Sequence, residues 1–464
     1  MGSLINQNDE PAQVAVIMVP FPAQGHLNQL MQLSCLLSKY GLQDQVHYIG
    51  SSVHNRQARH RVNGLNPQDL SKIRFHDIPT PTFESPPPKP DSSNKFPGQL
   101  QPAWDASLSQ RQPIFEFIRG IAMKYKRVVV VHDPLMAFVV QDVSSIPNAE
   151  SYVFNCISAF SQAAFICERM GKRFPLEIPK EVPDFEGCCS DEIITFAALQ
   201  QEPLKYRAGD IYNTSRLIEG PYLDLLADKD IVGDRKSWAI GPILPPNIPS
   251  RESPPKCLQW LDQQKPNSVI YVSFGTTTSL SDEEIKELAL GLEQSRHKFI
   301  WVLRDADKGD IFTGETRRAE LPKGFEERVE GIGIVVRDWA PQPEILSHPA
   351  TGGFMSHCGW NSCMESVIMG VPIAAWPMHS DQPRNAFLIS EILKVGIVVR
   401  KWCPIGELVK ASSIENAVKR LMASEEGEEI RKRAEKLGVA IRRATEEGGD
   451  SRLALDSFIA HITR

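Results

Sequence analysis

Short runs of β-branched residues alternate along the chain with longer segments whose apolar positions recur at helical spacing, the pattern of parallel strands covered by helices. Two such series follow one another. In the first, Val14–Val19, Val46–Ile49, Ile73–Phe75, Val128–Val131 and Tyr152–Phe154 are predicted strands, with helices over His26–Lys39, Gln112–Lys124 and Ser158–Met170. In the second, strands are expected at Val269–Phe274, Phe299–Leu303, Ile332–Val336, Gly353–Met355 and Ile373–Ala375, with helices at Asp282–Gln294, Asn361–Met369 and Gln382–Leu393. Between them GPILPPNIPSRESPPK, residues 241–256, holds six prolines and no apolar period, which marks an exposed, stiff linker. The expected organisation is two doubly wound α/β units, 1–243 and 257–447, joined by a linker over 244–256 and followed by a segment 448–464. That last segment carries its own stripe, Leu453, Leu455, Phe458 and Ile459, able to pack back onto the other unit. From Glu425 the pattern is charge-rich and helical, a solvated face. A second proline-rich stretch, Ile78 to Leu100, reads either as a solvated loop or as a wall over a ligand cleft.

Composition narrows the class of partner. At 464 residues, 42% hydrophobic and 23% charged, the chain can bury a sizeable core. A net charge of -6, with no Lys/Arg run, argues against nucleic acid or an anionic membrane surface. No apolar run approaches the roughly 20 residues of a membrane span, and the polar start lacks the basic flank of a secretory signal. Nine scattered cysteines without a CxxC fit a reducing compartment. The expectation is a cytoplasmic monomer that handles small molecules.

The chemistry concentrates in WAPQPEILSHPATGGFMSHCGWNSCMESVIMGVPIAAWPMHSDQ, residues 339–382. The run from Gly352 to Ser362 passes from a strand through a glycine turn into a helix, so free backbone N–H groups and a positive helix end meet at a strand's carboxyl end. A phosphate suits such a place. His357 and Ser362 can add hydrogen bonds, and SFGT at Ser273–Thr276 offers a second turn with two hydroxyls for the same diphosphate. Glu365, one helical turn past Asn361, can accept from a ribose diol. Trp339 offers a plate for a nucleobase, and Gln342 an amide for the ribose. Asp381 and Gln382 suit a polyhydroxylated ring.

With W-A-P-Q, H-C-G-W-N-S, the Glu and the D-Q in register, this tract resembles the signature box of the plant family 1 UDP-sugar glycosyltransferases. PFPAQGHLNQL near the start and VSFGT extend the resemblance along the chain, and HLNQL with MHSDQPRNA is similar to the zeatin O-glucosyltransferase group within that family. The resemblance implies a GT-B architecture of two Rossmann-like domains facing across a cleft. It also implies that Trp339 stacks on uracil with Ala340 pairing through its backbone, and that Gln342 and Glu365 hold the ribose. His357, Asn361, Ser362, Ser273 and Thr276 would hold the diphosphate, and Trp360, Asp381 and Gln382 the sugar, with Gln382 favouring glucose.

The base is expected on the other domain. His26 opens a helix after a strand and loop, a position that favours its neutral form. Asp133, just past the strand VVVVH, matches the family's supporting carboxylate, with His132 a weaker candidate. Gln29 departs from the proline commoner at that point. Acceptor candidates are Asn28, Phe96, Trp104, Phe154, Asn155 and His379. Asp305-Ala306-Asp307 spells the D-x-D of metal-dependent transferases, but is expected to be a solvated loop, with no metal and no cofactor required. The implied reaction is inverting transfer of glucose from UDP-glucose to a hydroxyl of a small apolar acceptor, a cytokinin such as zeatin or a phenolic. Flavonoid C-glycosylation, UDP-xylose as donor, and a non-catalytic binding protein are the alternatives.

Overall fold

The computed structural model describes residues 12–464 apart from 43–44, 63, 173, 175–180, 229–234, 244–253 and 315–316. Most of the predicted linker, 244–253, therefore lies outside the described residues.

The first unit is a seven-stranded parallel sheet of β1 (Ala12–Val19), β2 (Val46–Gly50), β3 (Arg74–Asp77), β4 (Tyr125–His132), β5 (Ala149–Asn155), β6 (Gly209–Tyr212) and β7 (Lys236–Ala239), ordered β3-β2-β1-β4-β5-β6-β7. The second has six, β8 (Val269–Ser273), β9 (Lys298–Val302), β10 (Gly333–Val336), β11 (Thr351–Ser356), β12 (Ile373–Ala375) and β13 (Gly396–Val398), ordered β10-β9-β8-β11-β12-β13. Every predicted strand is present within a few residues. The strands that patterning misses, β6, β7 and β13, are only three or four residues long, and pairing with a neighbouring strand rather than composition makes them strands.

The two orders are the same doubly wound scheme, and in each the winding reverses at the centre, between β1 and β4 and between β8 and β11. Such switch points open a crevice beyond the strands' carboxyl ends, where ligands bind. The first sheet packs its faces against helices Gln24–Ser38 and Arg111–Ala122, and the second against Asp282–Ser295 and Ala411–Ala423 on one face. The helix Asp450–Ile462 returns to the first unit. Leu455, Phe458 and Ile462 join Val14, Tyr152 and Trp238 in its core, whereas Leu453, predicted on the same stripe, is 55% exposed. Ile462, one turn past Phe458, takes the inward position instead.

The proline-rich stretch is a wall, not a solvated loop. Lys95 pairs with Glu284 at 2.7 Å, Gln99 Nε2 donates to Thr277 O at 3.0 Å and to Asp307 O at 3.1 Å, and Ser85 Oγ accepts from Gly309 N at 2.9 Å. All four contacts run from the first unit to the second.

Candidate functional site

On the first lip, β1 ends at Val19 and a Pro-Phe-Pro turn leads into the helix Gln24–Ser38, placing His26 at its third residue. Asp133 follows β4, the strand paired to β1, and its N–H donates to Val19 O at 3.1 Å. Its Oδ1 accepts from Leu135 N at 2.9 Å, closing the next turn, while Oδ2 meets His26 Nδ1 at 2.6 Å. The expected drift of His26 towards neutrality is reversed. Burial by itself would lower its pKa, but the charge and hydrogen bond of Asp133, with Asp381 adding at longer range, hold it above the ordinary histidine value. His132 is a buried support: its Nδ1 is 2.8 Å from Asp133 O, and burial pulls it down to about 4.

The opposite lip is built from the ends of β8 and β11. Gly275 lies in the left-handed region, and a Cβ there would fall 2.7 Å from the His357 ring; one on Gly359 would fall 2.6 Å away. The imidazole is thus gripped between two turns that leave no room for a side chain, and the first also needs glycine's left-handed backbone. Its Nδ1 is buried and has no hydrogen-bond partner, and burial lowers its pKa to about 4. Gly359 N-caps the helix Trp360–Met369, so the first-turn N–H groups of Trp360, Asn361 and Ser362 point out of the helix end beside it. Asn361 Nδ2 donates to Gly25 O at 2.8 Å and so joins the two lips one residue from His26.

Deeper along this face, Gln342 Nε2 donates to Glu365 Oε2 at 2.7 Å and to Ser362 Oγ at 3.0 Å. Glu365, on a helix that would ordinarily leave it in water, is 7% exposed; burial raises its pKa to about 7 against the pull of Gln342. Trp339 lies under two cations, the Arg61 guanidinium 4.7 Å and the Arg304 guanidinium 5.6 Å from its ring centre, and Ala340 beside it is buried. Ser273 ends β8 and Thr276 lies in the following turn, its carbonyl accepting from Asp307 N at 2.7 Å. The Trp360 indole N–H is donated to Asn213 O at 2.9 Å, inside a buried cluster, which leaves the residue's backbone rather than its ring N–H to face a ligand.

Asp381 is held by Asn385, whose Nδ2 donates to it at 2.7 Å and to Cys358 O at 2.9 Å, while Asn385 Oδ1 accepts from Ser158 Oγ at 2.7 Å. Burial raises the Asp381 carboxyl despite Asn385 and the nearby His26. Gln382 Oε1 accepts from Met378 N at 2.8 Å and His379 N at 3.1 Å, which fixes the amide before any ligand arrives. His379 bonds Ser380 Oγ at 2.7 Å and Thr277 Oγ1 at 3.1 Å, and burial holds it far on the neutral side, at about 3.

The D-x-D is no solvated loop. Asp307 is buried and ion-paired to Arg61 of the first unit, with a second contact at 2.9 Å, and to Arg304 at 2.8 Å. Asp305 accepts from Ser279 Oγ and from Arg317 N at 3.2 Å. Phe312 in the same loop meets Arg56 at 3.9 Å, so the loop grips the first unit's helix Ser52–His60.

Of the acceptor candidates, Phe96 and Trp104 do converge near the base. Phe96 stands edge-on to His379 at 5.7 Å and to Trp104 at 5.9 Å, and Trp104 reaches Phe21, itself 5.3 Å from His26. Asn28, two residues past His26, accepts from Gln24 Nε2 at 2.8 Å one turn before it. Phe154 and Asn155 do not join this group. Phe154 is fully buried under the helix Gln24–Ser38, and Asn155 donates to Ile211 O at 3.3 Å within the sheet. Sequence reasoning missed Phe21, Arg61, Asn213 and Asn385; of these only Phe21, beside the His26 turn, carried a local signal.

Two doubly wound sheets facing across a crevice, with a His–Asp pair on one lip and a phosphate-type helix end on the other, define a glycosyl-transfer site of the GT-B kind. The chain belongs to the UDP-glycosyltransferases: residues 12–245 match the family model "Glycosyltransferase, N-terminal domain" and 249–432 match "UDP-glucoronosyl and UDP-glucosyl transferase". It is 53% identical to zeatin O-glucosyltransferase of Phaseolus lunatus over 97% of each chain, and 52% identical to zeatin O-xylosyltransferase of Phaseolus vulgaris over 98% and 99%. Among solved structures, a UGT transferase from Siraitia grosvenorii in complex with UDP superposes with a TM-score of 0.77 at 30% identity, covering 97% of this chain and all of that one. Among the described residues no helix is long and apolar enough to cross a membrane.

Proposed function

We propose that the protein transfers glucose from UDP-glucose to the side-chain hydroxyl of a zeatin-type cytokinin, with inversion, in the cytoplasm. The observation that carries this reading is the His26–Asp133 pair joined, through the Asn361–Gly25 bond, to the helix end that follows His357. His26 Nδ1 is held by Asp133, which leaves Nε2 to take the proton from the acceptor hydroxyl as its oxygen attacks the anomeric carbon opposite UDP. Charge growing on the leaving diphosphate meets His357, the Ser273–Thr276 turn and the N–H groups of Asn361 and Ser362. Trp339 and Ala340 receive the base, Gln342 and Glu365 the ribose, and Asp381 and Gln382 the sugar hydroxyls, with Trp360 contributing its backbone. The acceptor is bound against Phe21, Phe96 and Trp104 of the first unit and His379 of the second.

No metal or cofactor is part of this reading, since Asp305 and Asp307 are engaged by Ser279, Arg61 and Arg304. A chelator should leave turnover unchanged. The donor is the finer question, because a glucosyl- and a xylosyltransferase are almost equally similar to this chain and one hydroxymethyl is a small discrimination.

The test is mass spectrometry of products formed from UDP-glucose and, in parallel, UDP-xylose, with trans-zeatin, cis-zeatin and flavonoids. An acid-labile hexoside of zeatin is expected. A pentoside as the main product would change the donor, and an acid-stable flavonoid hexoside would make carbon the attacking atom.

A further inference from the structure

Behind the His26–Asp133 pair lies a run of buried polar groups that the transfer reaction as described does not use. Cys156 follows β5, and its thiol lies beside the Asp133 carboxylate: the His26 ring nitrogen, an Asp133 oxygen and Cys156 Sγ lie within 4.8 Å of one another, while Phe154 O, 3.9 Å from Sγ, is the thiol's other acceptor. The Cys156 carbonyl accepts from Gln29 Nε2 at 2.9 Å, and Gln29 Oε1 accepts from Asn213 Nδ2 at 2.8 Å. Asn213 O accepts from Trp360 Nε1 at 2.9 Å, and its Oδ1 from Ile243 N at 3.1 Å. Gln29, Asn213, Cys156, Asp133 and Trp360 are all buried, so each bond is made out of reach of competing water.

We propose that Cys156 is a positioning residue for the base, donating its thiol proton to Asp133 and held in place through Gln29 and Asn213 by Trp360 of the facing domain. The inference rests on His26 being the base. It ties the aim of that base to the seating of the donor-side helix, since Trp360 begins the helix whose first turn faces the diphosphate.

The sign of the effect follows from the bonds. A thiol donating to Asp133 competes with His26 for the carboxylate's electron density. Removing it strengthens the hold of Asp133 on the imidazolium, and His26 must then lose its proton at higher pH. The other groups around the pair are Asp381 from the facing domain, with Arg384 beyond it, and buried His132, whose ring bonds Asp133 O. Asp381 and buried Tyr48 also sense Cys156 electrostatically.

The experiment is the pH profile of kcat/KM for the full-length enzyme with UDP-glucose and the best zeatin acceptor. Cys156→Ala should move the acidic limb upward by about half a unit, with donor KM unchanged. Cys156→Ser, which keeps a donor, should leave the limb in place or move it down. Gln29→Met should shift it in the same direction as Cys156→Ala, by less. A purely structural cysteine would lower the thermal midpoint without moving the limb, and limbs that coincide in all three variants overturn the proposal. His26→Ala separates the two levels of inference: if it retains turnover with the wild-type limb, the base assignment itself fails, whereas an inactive His26→Ala beside unmoved Cys156 variants refutes the positioning role alone.

Discussion

His26 and His357 stand on opposite lips of one crevice, each partly buried, and they are driven in opposite directions. His357 has no carboxylate beside it, and burial takes its pKa down to about 4. His26 suffers the same desolvation, yet Asp133 at 2.6 Å more than offsets it. Burial alone therefore does not decide the character of a histidine in this site; the neighbouring carboxylate does. On the proposed reading, one ring serves as a proton acceptor that recharges easily and the other as a neutral donor set against a phosphate.

Breaking the first half of that contrast should have the largest effect. His26→Ala should lower kcat by about 10²–10⁴-fold while UDP binding, followed by calorimetry, stays within about twofold of wild type. Asp133→Asn should come next, with kcat down within about the same 10²–10⁴-fold range and the acidic limb of kcat/KM displaced downward, because His26 then resembles His357. Retention of a limb above the ordinary histidine value in that variant would show that Asp133 is not what raises it. On the donor side, Glu365 with its pKa near 7 should make UDP-glucose bind more tightly as pH rises through neutrality. Glu365→Gln should raise donor KM about tenfold and flatten that dependence.

The smallest expected effect is on stability. A folded pKa raised above its unfolded value means that His26 contributes fully below pH about 6.5 and that its contribution is lost as pH rises through the folded pKa. For His357 the folded pKa lies below the unfolded one, so stability falls as pH drops from about 6.5 to about 4. On acidification the urea midpoints should therefore move in opposite directions relative to wild type: His26→Gln falls behind as pH drops through the folded His26 pKa, whereas His357→Gln gains as pH drops from about 6.5 to about 4.

The same two lips differ in how well the sequence announces them. The donor side comes from one tract, Trp339 to Gln382, plus one strand end, so its residues keep their spacing in space and their types declare a nucleotide sugar. The base side is assembled from the ends of β1, β4, β5 and β6, and nothing local to Asn213 or Cys156 reveals that they meet. The strands with β-branched runs were legible, and the short β6, β7 and β13 were not, since partners specify them. Phe154 misled because an aromatic at a strand end suits a pocket as well as a core. Asp307 misled because its counter-ion Arg61 lies 246 positions away.

The return of the helix Asp450–Ile462 to the first sheet bears on how the molecule is made. Trp238 and Tyr152 wait for Phe458 to complete their core, although Phe458 is synthesised more than 200 residues after Trp238. At roughly 5–20 residues per second, that is a delay of about 10–40 s. During it the nascent first domain carries an unfilled apolar groove of its own, and ribosome-bound chains halted before Asp450 should be held by chaperones far longer than chains allowed to reach Ile462.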